Sequence, residues 1–147
     1  MTTDDVPQLR QVVLDTTDAR ALAEFYRELL GLAYRPGDEP PSAGEDDERG
    51  RDWLVLRGAG AGPDGGDATS IAFQQVEQLP RVTWPEGEHP QMLHLDLTVG
   101  DADALVRQRD RATTLGARVL WDRFDDPDEP LYVFADPAGH PFCIFVA

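Results

Sequence analysis

Hydrophobic and polar residues change rhythm several times along the chain. Leu9-Arg10-Gln11-Val12-Val13-Leu14-Asp15 reads as a strand. Thr16-Thr17-Asp18 follows, and Asp18 is a good helix N-cap because its side-chain oxygen accepts from an N–H that the first turn leaves unpaired. From Ala19 to Leu30 the apolar residues Leu22, Phe25, Tyr26, Leu29 and Leu30 recur at helical spacing, and Gly31 fits a C-cap. The same order then returns. Met92 to Val99 alternates strictly, Asp101 can cap, Ala102 to Leu115 predicts a helix, and Gly116 ends it. Gln11 and His94 are 83 positions apart, as are Asp18 and Asp101, and the two helix ends are 85 apart. A strand–helix unit repeated at the head of each half is the simplest reading.

Strands follow in each half. Trp53-Leu54-Val55-Leu56 and Ser70 to Val76 are predicted in the first. In the second they are Arg118 to Trp121, Leu131 to Phe134 and Phe142 to Val146, with Asp136-Pro137-Ala138-Gly139 as a turn. Each half therefore reads as β-α-β-β-β, an α+β class. Arg35 to Asp52 is rich in Pro, Gly and acid, which predicts a mobile acidic loop or a short strand embedded in loop sequence. Gly58 to Asp67 reads as a Gly-rich hairpin loop, and Gln78 to Gln91, with Pro80, Pro85 and Pro90 around Trp84, as the linker. The expected layout is one domain over 1–147, with module one at about 7–77, the linker at about 78–91 and module two at about 92–147. A chain near 150 residues fits that count.

Composition narrows the partners. The net charge of −15 argues against nucleic acid, which needs a basic footprint, and against anionic membrane surfaces. No apolar run approaches the ~18–20 residues of a membrane span, and the first ten residues lack a signal-peptide pattern. A soluble, cytoplasmic protein is expected. Cys143 is the single cysteine, so no intrachain disulfide and no multi-thiolate zinc site is possible. No glycine cluster has a phosphate-loop context.

The paired β-α-β-β-β pattern resembles the vicinal oxygen chelate superfamily, which includes glyoxalase I, extradiol dioxygenases and bleomycin-resistance proteins. The residues that carry the likeness are Leu9 to Asp15, Ala23-Glu24-Phe25-Tyr26 and Leu30-Gly31-Leu32, then Leu93 to Leu97, Leu115-Gly116-Ala117 and Phe134 to Cys143. The resemblance implies two tandem βαβββ modules forming a cupped mixed sheet, often completed as a homodimer, with a small molecule in the cup. It also implies a metal ligand on the first strand of each module and another, usually Glu, on the last.

Carried over by that resemblance, the ligand positions fall at Gln11, near Gln74, at His94 and at Cys143. Neither expected carboxylate is present, so the residue types favour a metal-free site over a divalent ion such as zinc, nickel, iron or manganese. Strand alternation puts His94, Asp96 and Thr98 on one face and Leu95, Leu97 and Val99 on the other. His94 and Asp96 are then candidates for an acid–base pair, for a ligand with its orienting partner, or for a structural pair. Trp53, Trp84 and Trp121 are expected in packing, or as aromatic walls for a planar or cationic ligand. His140 is expected to serve its turn, His89 to be solvated, and Cys143 to be inert. The reading that follows is a metal-free binder of a small aromatic or heterocyclic metabolite or antibiotic, lined by Gln11, Trp53, Gln74, His94, Asp96 and Cys143. One alternative is a metal-dependent lyase, isomerase or dioxygenase using His94 and Gln11. The other is a cofactor-free acid–base enzyme using His94 and Asp96.

Overall fold

The computed structural model describes residues 7–58 and 69–147. The Gly-rich loop expected at 58–67 therefore lies outside the described residues, except for Gly58. The chain forms two compact units, 1–75 and 76–147. The first contains β1 (Val12–Thr16), α1 (Ala19–Leu30), β2 (Ala33–Tyr34), a 3-10 turn (Arg49–Arg51), β3 (Trp53–Arg57) and β4 (Ser70–Gln75). The second contains β5 (Leu95–Val99), α2 (Ala102–Leu115), β6 (Arg118–Arg123), β7 (Leu131–Ala135) and β8 (Pro141–Val146). The strand orders are β1-β4-β3-β2 and β5-β8-β7-β6. In both sheets the first strand runs parallel to the last and the remaining pairs are antiparallel. The architecture is α+β, with two tandem βαβββ modules.

The helices end where their caps predict. Asp18 accepts from Ala21 N at 3.0 Å, and Asp101 accepts from Ala104 N at 2.7 Å. Gly31 and Gly116 close the two helices at φ 65° and 118°, in the left-handed region that a side chain disfavours. The first strand of each module starts later than predicted, whereas β3, β4, β6 and β7 start at the predicted residues. β1 begins at Val12 rather than Leu9, because its parallel partner β4 begins only at Ser70, opposite Gln11. β5 begins at Leu95 rather than Met92, because the residue opposite His94 is Pro141, which has no N–H to give.

Each helix covers one face of its own sheet. In the first unit, Leu22 and Tyr26 bury against Leu14, Leu54, Leu56 and Phe73, with the Tyr26 and Phe73 rings stacked at 5.9 Å. In the second, Leu105 and Ala112 bury over a face holding Tyr132, Phe134, Phe142 and Ile144. There Phe134 stacks on Phe142 at 4.9 Å, and Arg109 lies over the Tyr132 ring at 5.4 Å. Burying each such side chain contributes roughly 1.5–3 kcal/mol.

The acidic segment 35–52, expected as a mobile loop or as a short strand within loop sequence, is tied down. Asp38 is fully buried, pairs with Arg35 at 2.9 Å, and accepts from Val55 N at 3.0 Å. Arg20 on α1 grips Asp47 through Nε at 2.8 Å and donates to Asp38 O at 2.7 Å. The Arg20 bond holds the Asp47 carboxyl below its ordinary range. Acidic residues buried in this way need such partners. Among the described residues, no helix is long and apolar enough to cross a membrane.

Candidate functional site

The second module keeps its polar chemistry on the face that α2 leaves bare. Alternation along β5 sends Leu95, Leu97 and Val99 toward the helix and exposes Asp96 and Thr98 on the other side, with exposed His94 just before them. The ladder sets one row across all four strands: Asp96 opposite Cys143, Cys143 opposite Val133, and Val133 opposite Trp121. His94 Nε2 lies 3.2 Å from Asp96 Oδ1. Ligand atoms of His94, Asp96 and Cys143 all lie within 4.8 Å of one another. Burial pushes the Cys143 thiol up to about 11, and the carboxylates of Asp96 and Glu129 add to the shift. The thiol is therefore protonated at neutral pH and a poor nucleophile, as the sequence suggests.

The linker supplies a wall. The Trp84 ring lies nearly parallel to the His94 imidazole, with centroids 6.5 Å apart and planes 6° apart. It meets Trp121 edge-on at 6.2 Å and 70°. Arg123 in turn sits 5.1 Å from the Trp121 centroid. These separations are typical of interacting aromatic and cation–aromatic pairs. Sequence reasoning put Trp53 in the site and left Trp84 and Trp121 between packing and ligand contact. Alternation along β6 gave no signal for Trp121, because a bulge between Val119 and Trp121 shifts the register and turns Trp121 to the open face. The Pro-rich segment offered none for Trp84. Gln91, unremarked in the sequence, brings its Oε1 into a buried position that no donor among the described residues reaches.

In the first module the corresponding face is chemically quiet. Val12 to Thr16 matches Leu95 to Val99, and Ile71 opposite Val12 matches Phe142 opposite Leu95. Gln11, Val13 and Ala72 therefore stand where the second module has His94, Asp96 and Cys143. The last-strand position expected near Gln74 is Ala72, two residues earlier, because parallel register rather than polarity decides it. Gln74 instead joins Asp15 and Trp53 in the next row. Ser70 Oγ donates to Gln11 Oε1 at 3.4 Å. Gln75, not Gln74, links strand to helix: its Oε1 accepts from Ala19 N at 2.8 Å and its Nε2 donates to Thr17 O at 2.6 Å. His140 serves its turn through its backbone N–H, which donates to Asp136 Oδ1 at 3.0 Å, and His89 is exposed.

The second module brings together three side chains of kinds that can ligate a metal. One imidazole nitrogen, one thiol and one carboxylate oxygen suit a borderline-soft divalent ion such as zinc, leaving a fourth position open. A hard ion such as magnesium would find a single carboxylate. Asp96 thus joins His94 and Cys143 as a candidate ligand.

Comparison with known proteins agrees with this architecture. The chain is similar to a glyoxalase/bleomycin resistance protein/dioxygenase family enzyme from Burkholderia phytofirmans PsJN, at 18% identity and a TM-score of 0.63 over 95% of this chain and 98% of that one. It is similar to the fosfomycin resistance protein FosX of Mesorhizobium loti, at 15% identity and 0.61 over 97% and 93%. Lactoylglutathione lyase from Agrobacterium tumefaciens matches at 15% identity and 0.54 over 97% and 96%. At these identities the likeness is one of fold. No curated protein sequence matches the chain significantly. The family model described as glyoxalase-like domain matches residues 11–145, nearly the whole chain, which therefore belongs to the glyoxalase-like family of the vicinal oxygen chelate superfamily.

Proposed function

We propose that this protein binds a small planar aromatic or heterocyclic molecule on the helix-free face of its second module, without a resident metal. The observation that carries this reading is Trp84 lying parallel to His94 and edge-on to Trp121. Such a wall suits a flat ligand, and Asp96 beside it suits a hydrogen-bond donor or a positive charge on that ligand. The protein acts as a homodimer in the cytoplasm, the dimer being checked by light scattering. A planar cation, 9-aminoacridine, is the probe. Its titration should quench tryptophan fluorescence to saturation, and Trp84→Ala should weaken it about tenfold, the size of a good aromatic contact. A linear, unsaturable quench in the native protein would overturn the reading.

A second reading has its own observation, the clustering of His94, Asp96 and Cys143. Those three residues would hold a divalent ion, and the ion would supply Lewis-acid polarisation of a bound oxygen. Elemental analysis after dialysis against zinc, nickel and manganese separates the two. About one ion per chain, lost in His94→Ala, selects the metal reading. No retained ion selects the metal-free one.

A further inference from the structure

Trp84 sits in a segment that belongs to no strand or helix, so its placement needs a cause outside regular structure. Two contacts bracket it. Downstream, Thr83 and His89 close a small loop: Thr83 N donates to His89 O at 2.7 Å, and His89 N donates to Thr83 Oγ1 at 2.8 Å. Gly87 makes this closure possible, because its φ is +115° and an added Cβ would stand 2.3 Å from Thr83 Oγ1. That loop fixes the local shape around Trp84. It does not decide where on the sheet the shape is laid.

Upstream, Arg81 supplies that contact. Its Nη2 donates to Pro137 O at 3.2 Å, in the turn between β7 and β8. Its stem lies against Gly139 in the same turn. A Cβ on Gly139 would come within 3.1 Å of Arg81 Cγ and 3.3 Å of Nη1, and Gly139 has φ +99°. The turn is itself closed by side-chain bonds: Asp136 Oδ1 accepts from Ala138 N at 2.9 Å and His140 N at 3.0 Å. The turn joins the two strands that carry Val133 and Cys143, so an anchor on it is an anchor on the row of residues that Trp84 accompanies.

We infer that Arg81, seated on the 136–140 turn, is a positioning residue that sets Trp84 against His94 and Trp121. Through Trp84 it tunes affinity for flat ligands. The second half of this inference rests on the aromatic-ligand reading above; the first half does not.

The experiment is ¹⁹F NMR on the full chain labelled with 5-fluorotryptophan, with the three resonances assigned by single Trp→Phe variants. In Arg81→Ala the Trp84 resonance should move toward the solvent-exposed position while the Trp53 resonance stays, and Arg81→Lys should keep most of the native shift. The 9-aminoacridine affinity of Arg81→Ala should fall about three- to tenfold, the worth of one misplaced aromatic contact. An unmoved Trp84 resonance overturns the positioning role. A displaced Trp84 with unchanged acridine affinity overturns the tuning role. A displaced Trp84 in a protein that binds no acridine at all supports Arg81 as the anchor and overturns the aromatic-ligand reading alone.

Discussion

The two modules share a blueprint and differ in what they do with polar side chains. Strand order, parallel closure and register coincide, and each helix starts on an aspartate and stops on a glycine. At matched positions, Gln11, Val13 and Ala72 in the first module correspond to His94, Asp96 and Cys143 in the second. The first module sinks its notable polar group, Asp38, into the structure, where a backbone N–H and arginines satisfy it. The second leaves His94 and Asp96 on an open face. The backbone plan tolerates both uses because the helix-covered face builds most of the core, with Val55, Ala72 and Val133 buried on the opposite face. The opposite face is free to be filled, silenced or furnished with chemistry.

The largest effect should therefore separate stability from binding. Asp38→Ala strands the buried Val55 N–H and removes the partner of the half-buried Arg35, and should cost about 3 kcal/mol in urea denaturation, with acridine affinity unchanged in the folded protein. His94→Ala and Asp96→Ala should do the reverse, shifting stability by under ~0.5 kcal/mol, as exposed substitutions do, while weakening the ligand. If Asp38→Ala proves neutral, the contrast between a structural and a functional module collapses.

An intermediate effect tests the shared blueprint. Asp18→Ala and Asp101→Ala each remove one N-cap bond and should each cost about 1 kcal/mol by thermal or chemical melting. A clear inequality would show that one helix depends far more on its cap than the other. α2 buries only Leu105 and Ala112, against six residues in α1, so any surplus should fall on Asp101.

The smallest effect concerns Cys143. Burial raises its thiol from 9.0 to about 11, so the folded chain holds this proton more tightly than the unfolded one. The contribution to stability is present below the unfolded value and fades as pH rises toward the folded one. Between those limits the native protein should lose slightly more stability than Cys143→Ala, and native alkylation by iodoacetamide should stay slow at pH 8. Fast alkylation at that pH would mean that the cluster on this face activates the thiol.

How much of this was legible in the sequence follows from where the controlling contact lies. Both helices were readable to the residue because Asp18, Gly31, Asp101 and Gly116 act locally. The starts of β1 and β5 were not, because they depend on distant partners, Ser70 in one sheet and Pro141 in the other, whereas β3, β4, β6 and β7 start where the sequence predicts. The face shared by His94 and Asp96 follows from alternation alone. Cys143 joins them only through parallel register, which family resemblance reached and spacing did not. The module-one position expected near Gln74 could not be fixed to the residue for the same reason: register sets Ala72 opposite Val13, the match of Cys143 opposite Asp96. Trp84 lay beyond reach because its placement depends on Arg81, Pro137 and a closed loop, none of which leaves a periodic trace.

The parallel closure of each module also orders events during synthesis. β4 and β8 are the last strands of their sheets to be translated, yet each lies between two neighbours. Until β8 leaves the ribosome, β6 and β7 can pair as a hairpin, but β5 has no partner. A waiting strand with open hydrogen-bonding groups is a target for mispairing. A premature stop after β7 would leave a protein that contains His94, Asp96, Trp84 and Trp121 but lacks the strand that unites them. Such a product should appear as aggregate or degradation fragments rather than as a weakened binder.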